Sequence, residues 1–152
     1  MKVLRAAAAF GWLLVSGLAT GGSAAQAENS VTAAQFVVEP ATLINLGFEW
    51  AISGDANRNA TVEVTYRKAG DTAWSEALPL LRMGGERIFR APYTVPDRFA
   101  GSVLDLTPDT SYEVRLTMKD PDGVRGQAVQ TPTIRTRRWR TCSPRSMPKE
   151  VR

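Results

Sequence analysis

Three arginines, Arg82, Arg87 and Arg90, gather around the pair Gly84-Gly85. A guanidinium fork meets a carboxylate with two parallel hydrogen bonds, so such a group has the chemistry to grip a uronate. Trp74 and Tyr93 add flat aromatic faces on which a sugar ring can stack. Trp74, Arg82, Arg87, Arg90 and Tyr93 therefore make a candidate surface for binding or for contact with another domain. The plainer reading stands beside it. Trp74 packs over a sheet, and the stretch 81–96 connects two sheets through a short edge strand. Long connections are uncommon in small sandwiches and are often functional.

The remaining residues exclude more chemistry than they offer. The chain has no histidine, which removes Ser-His-Asp and Cys-His sites and histidine-ligated zinc. Cys142 is the one cysteine, so no internal disulfide forms. Asp55-Ala56-Asn57-Arg58-Asn59 has the D-x-N-x-N start of a calcium loop. Ala60 stands where an EF-hand needs glycine, and Tyr66 where it needs the bidentate glutamate. An Asx-rich turn is the expectation. Carboxylates occur singly at strand edges and turns, without the cleft pair a glycosidase uses. No catalytic residue, metal ligand set or cofactor is assigned, and the chain is not expected to be an enzyme.

The chain is 152 residues long with a net charge of +4. Its charge is unevenly spread. Residues 28–134 hold ten basic and fourteen acidic side chains, a net of −4, whereas 135–152 hold seven basic and one acidic. A mildly acidic body does not attract a polyanion, so no nucleic-acid partner is expected. Lys2 and Arg5 precede an apolar run through Phe10, Trp12, Leu13, Leu14, Val15 and Leu18, followed by Ala25-Gln26-Ala27. That is the pattern of a secretory signal peptide. The expected division is a signal peptide at 1–27, a linker at 28–33, one domain at 34–137 and a basic, disordered tail at 138–152. The tail reads as a truncated or frame-shifted end. The expected product is secreted or held in the periplasm or cell envelope, with no membrane contact after cleavage, and is a monomer.

Period-two alternation marks strands. Leu46, Phe48, Trp50 and Ile52 share one face; Val62, Val64 and Tyr66 share another; so do Tyr112, Val114, Leu116 and Met118. Weaker strands are expected at 36–39, 72–80, 99–106 and 126–136. Turns fall at Ser53–Asn57, Ala69–Asp71 and Asp120-Pro121-Asp122-Gly123. The expectation is an all-β, seven-stranded, immunoglobulin-like sandwich.

Leu106-Thr107-Pro108-Asp109-Thr110-Ser111-Tyr112-Glu113-Val114-Arg115-Leu116 resembles the most diagnostic segment of fibronectin type III domains. In that family a leucine ends one strand, the proline turns the chain, and the tyrosine hydroxyl bonds back to backbone. Trp50 resembles the family's core tryptophan and Tyr66 its third-strand aromatic. The resemblance implies that Trp50, Tyr66, Leu106, Pro108 and Tyr112 define the fold. The segments 43–50, 54–60 and 80–86 resemble the N-terminal domain of secreted bacterial proteins that continue into a right-handed parallel β-helix, many of them polysaccharide lyase-like. The resemblance implies a non-catalytic accessory or spacer domain, with a polysaccharide or a C-terminal β-helix domain as partner. The alternative is a stand-alone extracellular module that binds a glycan or a protein.

Overall fold

Apolar side chains at every second position fix which face of each long strand turns inward. The computed structural model describes residues 28–87 and 92–139. The expected signal peptide, Arg90, Cys142 and the tail from 140 onward lie outside these residues. Among the described residues there are ten strands and no helix. They are β1 (Val31–Val38), β2 (Leu46–Gly54), β3 (Thr61–Lys68), β4 (Ser75–Glu76), β5 (Leu81–Met83), β6 (Arg98–Val103), β7 (Ser111–Lys119), β8 (Val124–Arg125), β9 (Val129–Gln130) and β10 (Thr133–Arg135). One sheet runs β5-β6-β2-β1-β8 and the other β10-β7-β3-β4, with β9 also on β7. The chain is an all-β sandwich.

The core is the set that alternation selects. Leu46, Phe48, Trp50 and Ile52 from one sheet meet Val62, Val64, Tyr112, Val114, Leu116 and Met118 from the other. Trp50 is fully buried. Phe36 meets it edge-on at 5.4 Å, and stacks on Phe48 at 6.1 Å. The Trp50 Nε1–H finds no acceptor among the described residues, where packing holds the ring. Tyr66 is half-buried and lies 6.2 Å from Tyr112.

The corner before β7 is closed by hydrogen bonds. Thr107 donates its amide to the Tyr112 hydroxyl at 2.9 Å. Leu106 is buried and donates its amide to the Ile44 carbonyl. Thr136, also buried, donates its hydroxyl to the Thr107 carbonyl at 2.7 Å and accepts the Thr110 amide at 3.0 Å. The end of the described chain thus pins the turn that the tyrosine spans.

Several expectations need correction. Residues 28–33 are not a linker: Val31 is fully buried and opens β1, and Ser30 and Glu28 accept amides from Asp55 and Ala56. The strand expected at 72–80 narrows to Ser75–Glu76, with Leu80 bridging Val62 alone. Pro79 has no amide to give the ladder, and after it the chain crosses to the opposite sheet as β5. The strand expected at 126–136 splits into β9 and β10 around Pro132, whose carbonyl still accepts the Val114 amide. The split at Pro132, with β5 and β8, which lie outside the expected ranges, makes ten strands where seven were expected. Pro108 is exposed and serves the turn, not the core.

Removing the Trp50 ring leaves a large cavity between the sheets. Trp50→Ala should lower unfolding stability by about 3–5 kcal/mol in denaturant titrations. Tyr112→Phe, which deletes one half-buried hydrogen bond, should cost about 1 kcal/mol. Equal losses in the two variants would contradict the core assignment.

Candidate functional site

The candidate residues sit on two separate parts of the sandwich, and the order of the strands explains the division. Trp74 precedes β4 at the edge of the β10-β7-β3-β4 sheet, whereas Arg82 lies on β5 at the edge of the other.

Trp74 is half-buried over the outer face of β3 and β7. Arg67 and Arg115 point outward there, one residue off the inward set of Tyr66 and Val114. Their guanidinium carbons lie 4.5 and 4.6 Å from the Trp74 ring centroid. Arg67 is also held by Glu113 at 2.6 Å. A sugar stacking on Trp74 has to compete with two guanidiniums. The ring covers the sheet, as the plainer reading expects.

Arg82 is turned inward. Leu81 and Met83 pair opposite Ala100 and Arg98 and face out, so the intervening Arg82, opposite Phe99, faces the interior edge. Its side chain is 12% exposed and its Nε donates to the Asp55 Oδ2 at 2.7 Å, while a terminal nitrogen donates to Asp97 at 2.8 Å. The guanidinium also donates to the Met83 carbonyl. Asp55 itself is fully buried; its Oδ1 accepts the Ala60 amide at 3.2 Å. Burial works against the Arg82 charge, but the hydrogen bonds and attraction of Asp55 and Asp97 outweigh it and raise its pKa above the ordinary value. Both Asp55 oxygens are therefore committed to the fold. Asn57 and Asn59 donate to Asp122 on the turn after β7, at 2.6 and 3.0 Å. The D-x-N-x-N segment is a braced turn.

Between β5 and β6, the described residues 84–87 and 92–97 pair as the two sides of a hairpin arm. Gly85 donates its amide to the Val95 carbonyl, Val95 donates to the Glu86 carbonyl, and Arg87 bridges Thr94. Gly84 starts the arm with φ 133°. A Cβ there would come within 2.6 Å of the Asp97 Cα, so only glycine fits. Arg58 donates to the Gly84 carbonyl at 2.9 Å and pairs with Glu86 at 3.5 Å. Hydrogen bonds from its own amide and that of Gly84, joined by the Arg58 charge, hold the Glu86 carboxyl below the usual carboxylate range. Arg87 is exposed and Tyr93 is half exposed along the arm. Leu81 and Met83 are exposed on β5 where it leads into the arm, and Leu78 is exposed between β4 and β5.

The structure thus brings Arg82 together with Asp55 and Asp97, and Trp74 together with Arg67 and Arg115. It does not gather Trp74 and Arg82 into one surface. Sequence reading placed Asp55 and Arg58 only in the calcium-like segment, and it missed Asp97, Arg67 and Arg115 as partners of the candidate residues. One signal for Asp55 was available: alternation through Leu81-Arg82-Met83 places either two apolar residues or one arginine inside, and the second choice demands a buried acid.

Neither the family models nor the curated proteins compared with the chain match it. Among solved structures, the chain is similar to a computationally redesigned β-sandwich protein at 16% identity and a TM-score of 0.40, covering 72% of this chain and 97% of that one.

Arg82→Ala strands the buried Asp55 charge and should cost about 3–5 kcal/mol, whereas the exposed Arg87→Ala should stay within about 0.5 kcal/mol. Comparable losses would show that Asp55 is not a buried, dependent charge. Because the folded-state pKa of Glu86 is depressed, its contribution is present above the ordinary glutamate value and lost as pH falls through the depressed one. Carboxyl carbon shifts should place its midpoint below the ordinary value of about 4.3. Arg58→Met should move that midpoint upward.

Proposed function

We propose that this chain carries a fibronectin type III domain and acts as a non-catalytic accessory or spacer module of an exported protein, beside a polysaccharide-degrading or polysaccharide-binding β-helix domain. The family reading rests on the Tyr112–Thr107 hydrogen bond, with Trp50 and Leu106 in the core. The compartment rests on the signal-peptide pattern of residues 1–27.

One observation supports an accessory role over direct glycan capture. Arg82, the strongest sequence candidate for gripping a carboxylate, is already bound by Asp55 and Asp97. Trp74, the strongest stacking candidate, lies under two guanidiniums. Exposed residues leading into the arm include the apolar Leu81 and Met83, and along it the half-exposed Tyr93 stands beside the charged Glu86 and Arg87. Exposed apolar residues next to an ordered arm suit contact with a neighbouring domain.

The second reading, a stand-alone glycan- or protein-binding module, draws on Tyr93 and Arg87, which stay accessible. Affinity electrophoresis of the full chain through gels cast with neutral or uronic polysaccharides separates the two. The accessory reading expects unchanged migration. Retardation that disappears in Tyr93→Ala or Arg87→Ala would overturn it in favour of the binding module.

A further inference from the structure

Sandwiches of this size fold on their apolar cores, yet this chain also buries an acid and most of an arginine at one edge. Asp55 accepts Arg82, and Arg82 reaches on to Asp97. Asp55 also donates its amide to the Ser30 carbonyl and adopts φ 51°, so it belongs at once to the start of the domain and to the turn after β2. Asp97 closes the arm on its far side, and Gly84 packs against it on the near side. Arg58, three residues beyond Asp55, holds Gly84 and Glu86. Two arginines and three carboxylates therefore converge where the arm leaves the sandwich.

A buried ion pair seldom adds net stability over an apolar pair of the same shape, because desolvation cancels the attraction. Its best-attested use is to specify one arrangement among several. We propose that Asp55, Arg82 and Asp97 form a positional lock that fixes the two described sides of the hairpin arm, residues 84–87 and 92–97, against the sandwich and contributes little to the stability of the core. The three groups make Arg82 a positioning residue: it acts on the arm through Asp97 and on the body through Asp55. An apolar contact at this place has no directional preference to set the arm's angle beyond what Arg58 and the flanking strands supply. The charged one offers a single geometry, with the Nε of Arg82 committed to Asp55 and a terminal nitrogen committed to Asp97. A partner that docks on a pre-ordered arm meets a smaller ordering cost. The lock stands apart from the accessory-module reading, since arm order is measured on the chain alone.

The test is amide exchange followed by NMR on the full chain carrying Asp55→Asn together with Arg82→Met. Asparagine keeps the acceptor for the Ala60 amide and tolerates the left-handed backbone. Methionine keeps an apolar stem near Phe99, whose ring centroid lies 5.9 Å from the Arg82 guanidinium. The amides of Gly85 and Val95 report the arm; those of Val114 and Met118, bonded to Pro132 and Ala128, report the body. The expected result is exchange at least about tenfold faster in the arm with the body unchanged. Unchanged arm exchange would overturn the proposal. So would equal acceleration of arm and body, which makes the pair an ordinary stabilising contact. Asp97→Asn, a surface change that leaves the buried pair intact, keeps the test independent of folding failure. It should accelerate the arm amides alone, by a smaller factor, and no arm effect in that variant contradicts the lock.

Discussion

A carboxylate without solvent, Asp55, ties together the parts of this molecule that core packing alone does not join. It reaches the start of the domain through Ser30, the β3 entry through Ala60 and the opposite edge through Arg82. From Arg82 the connection continues to Asp97 and so to the arm. The requirement is severe: an ionised acid in a dry site must be paired and hydrogen-bonded. The chain meets it with an arginine 27 residues away, brought there because β5 leaves one sheet and joins the other. That crossing follows from Leu80, which bridges β3, and from Pro79, which cannot donate to the ladder. The position of the buried pair is thus a consequence of sheet closure.

The parts legible in the sequence are those governed by local period and turn chemistry. β2, β3 and β7 alternate without interruption, and their inward residues form the core. The run from Leu106 to Tyr112 announces its corner because a proline, an aspartate at positive φ and a tyrosine sit at spacings that serve one turn. The short strands were not legible. Ser75–Glu76 and Leu81–Met83 belong to one stretch that pairs with two different sheets, and no periodicity within it says where it changes partner. The arm was not legible for a related reason: its glycines and prolines give no alternation to read, and its bonds join Gly85, Glu86 and Val95 through the backbone and Gly84 to distant Arg58.

The candidate surface was legible as residue types but not as an arrangement. Arginine and tryptophan at sequence level look like ligand-binding groups because a guanidinium forks onto carboxylates and an indole offers a flat face for stacking. Whether they are free depends on partners far along the chain. Asp55 stands in a segment that resembles the start of a calcium loop, and nothing near Trp74 in the sequence points to Arg67 and Arg115 as its partners. Once these partners are in place, Arg82 and Trp74 serve the fold, and the accessible chemistry shifts to Tyr93, Arg87 and the exposed leucines. The proposed accessory role follows this shift: a chain whose best ligand-binding groups are internally satisfied, with apolar residues beside an ordered arm, suits contact with a neighbouring domain.

The most direct test is an NMR titration of the full chain with a polyuronate, following the side-chain Nε signal of Arg82 and the indole Nε1 signal of Trp74. The account predicts that neither moves, because one guanidinium is held by two carboxylates and the indole by two guanidiniums. Saturable shifts at both would contradict it, and would make the arginine and the tryptophan ligands of a sugar acid after all.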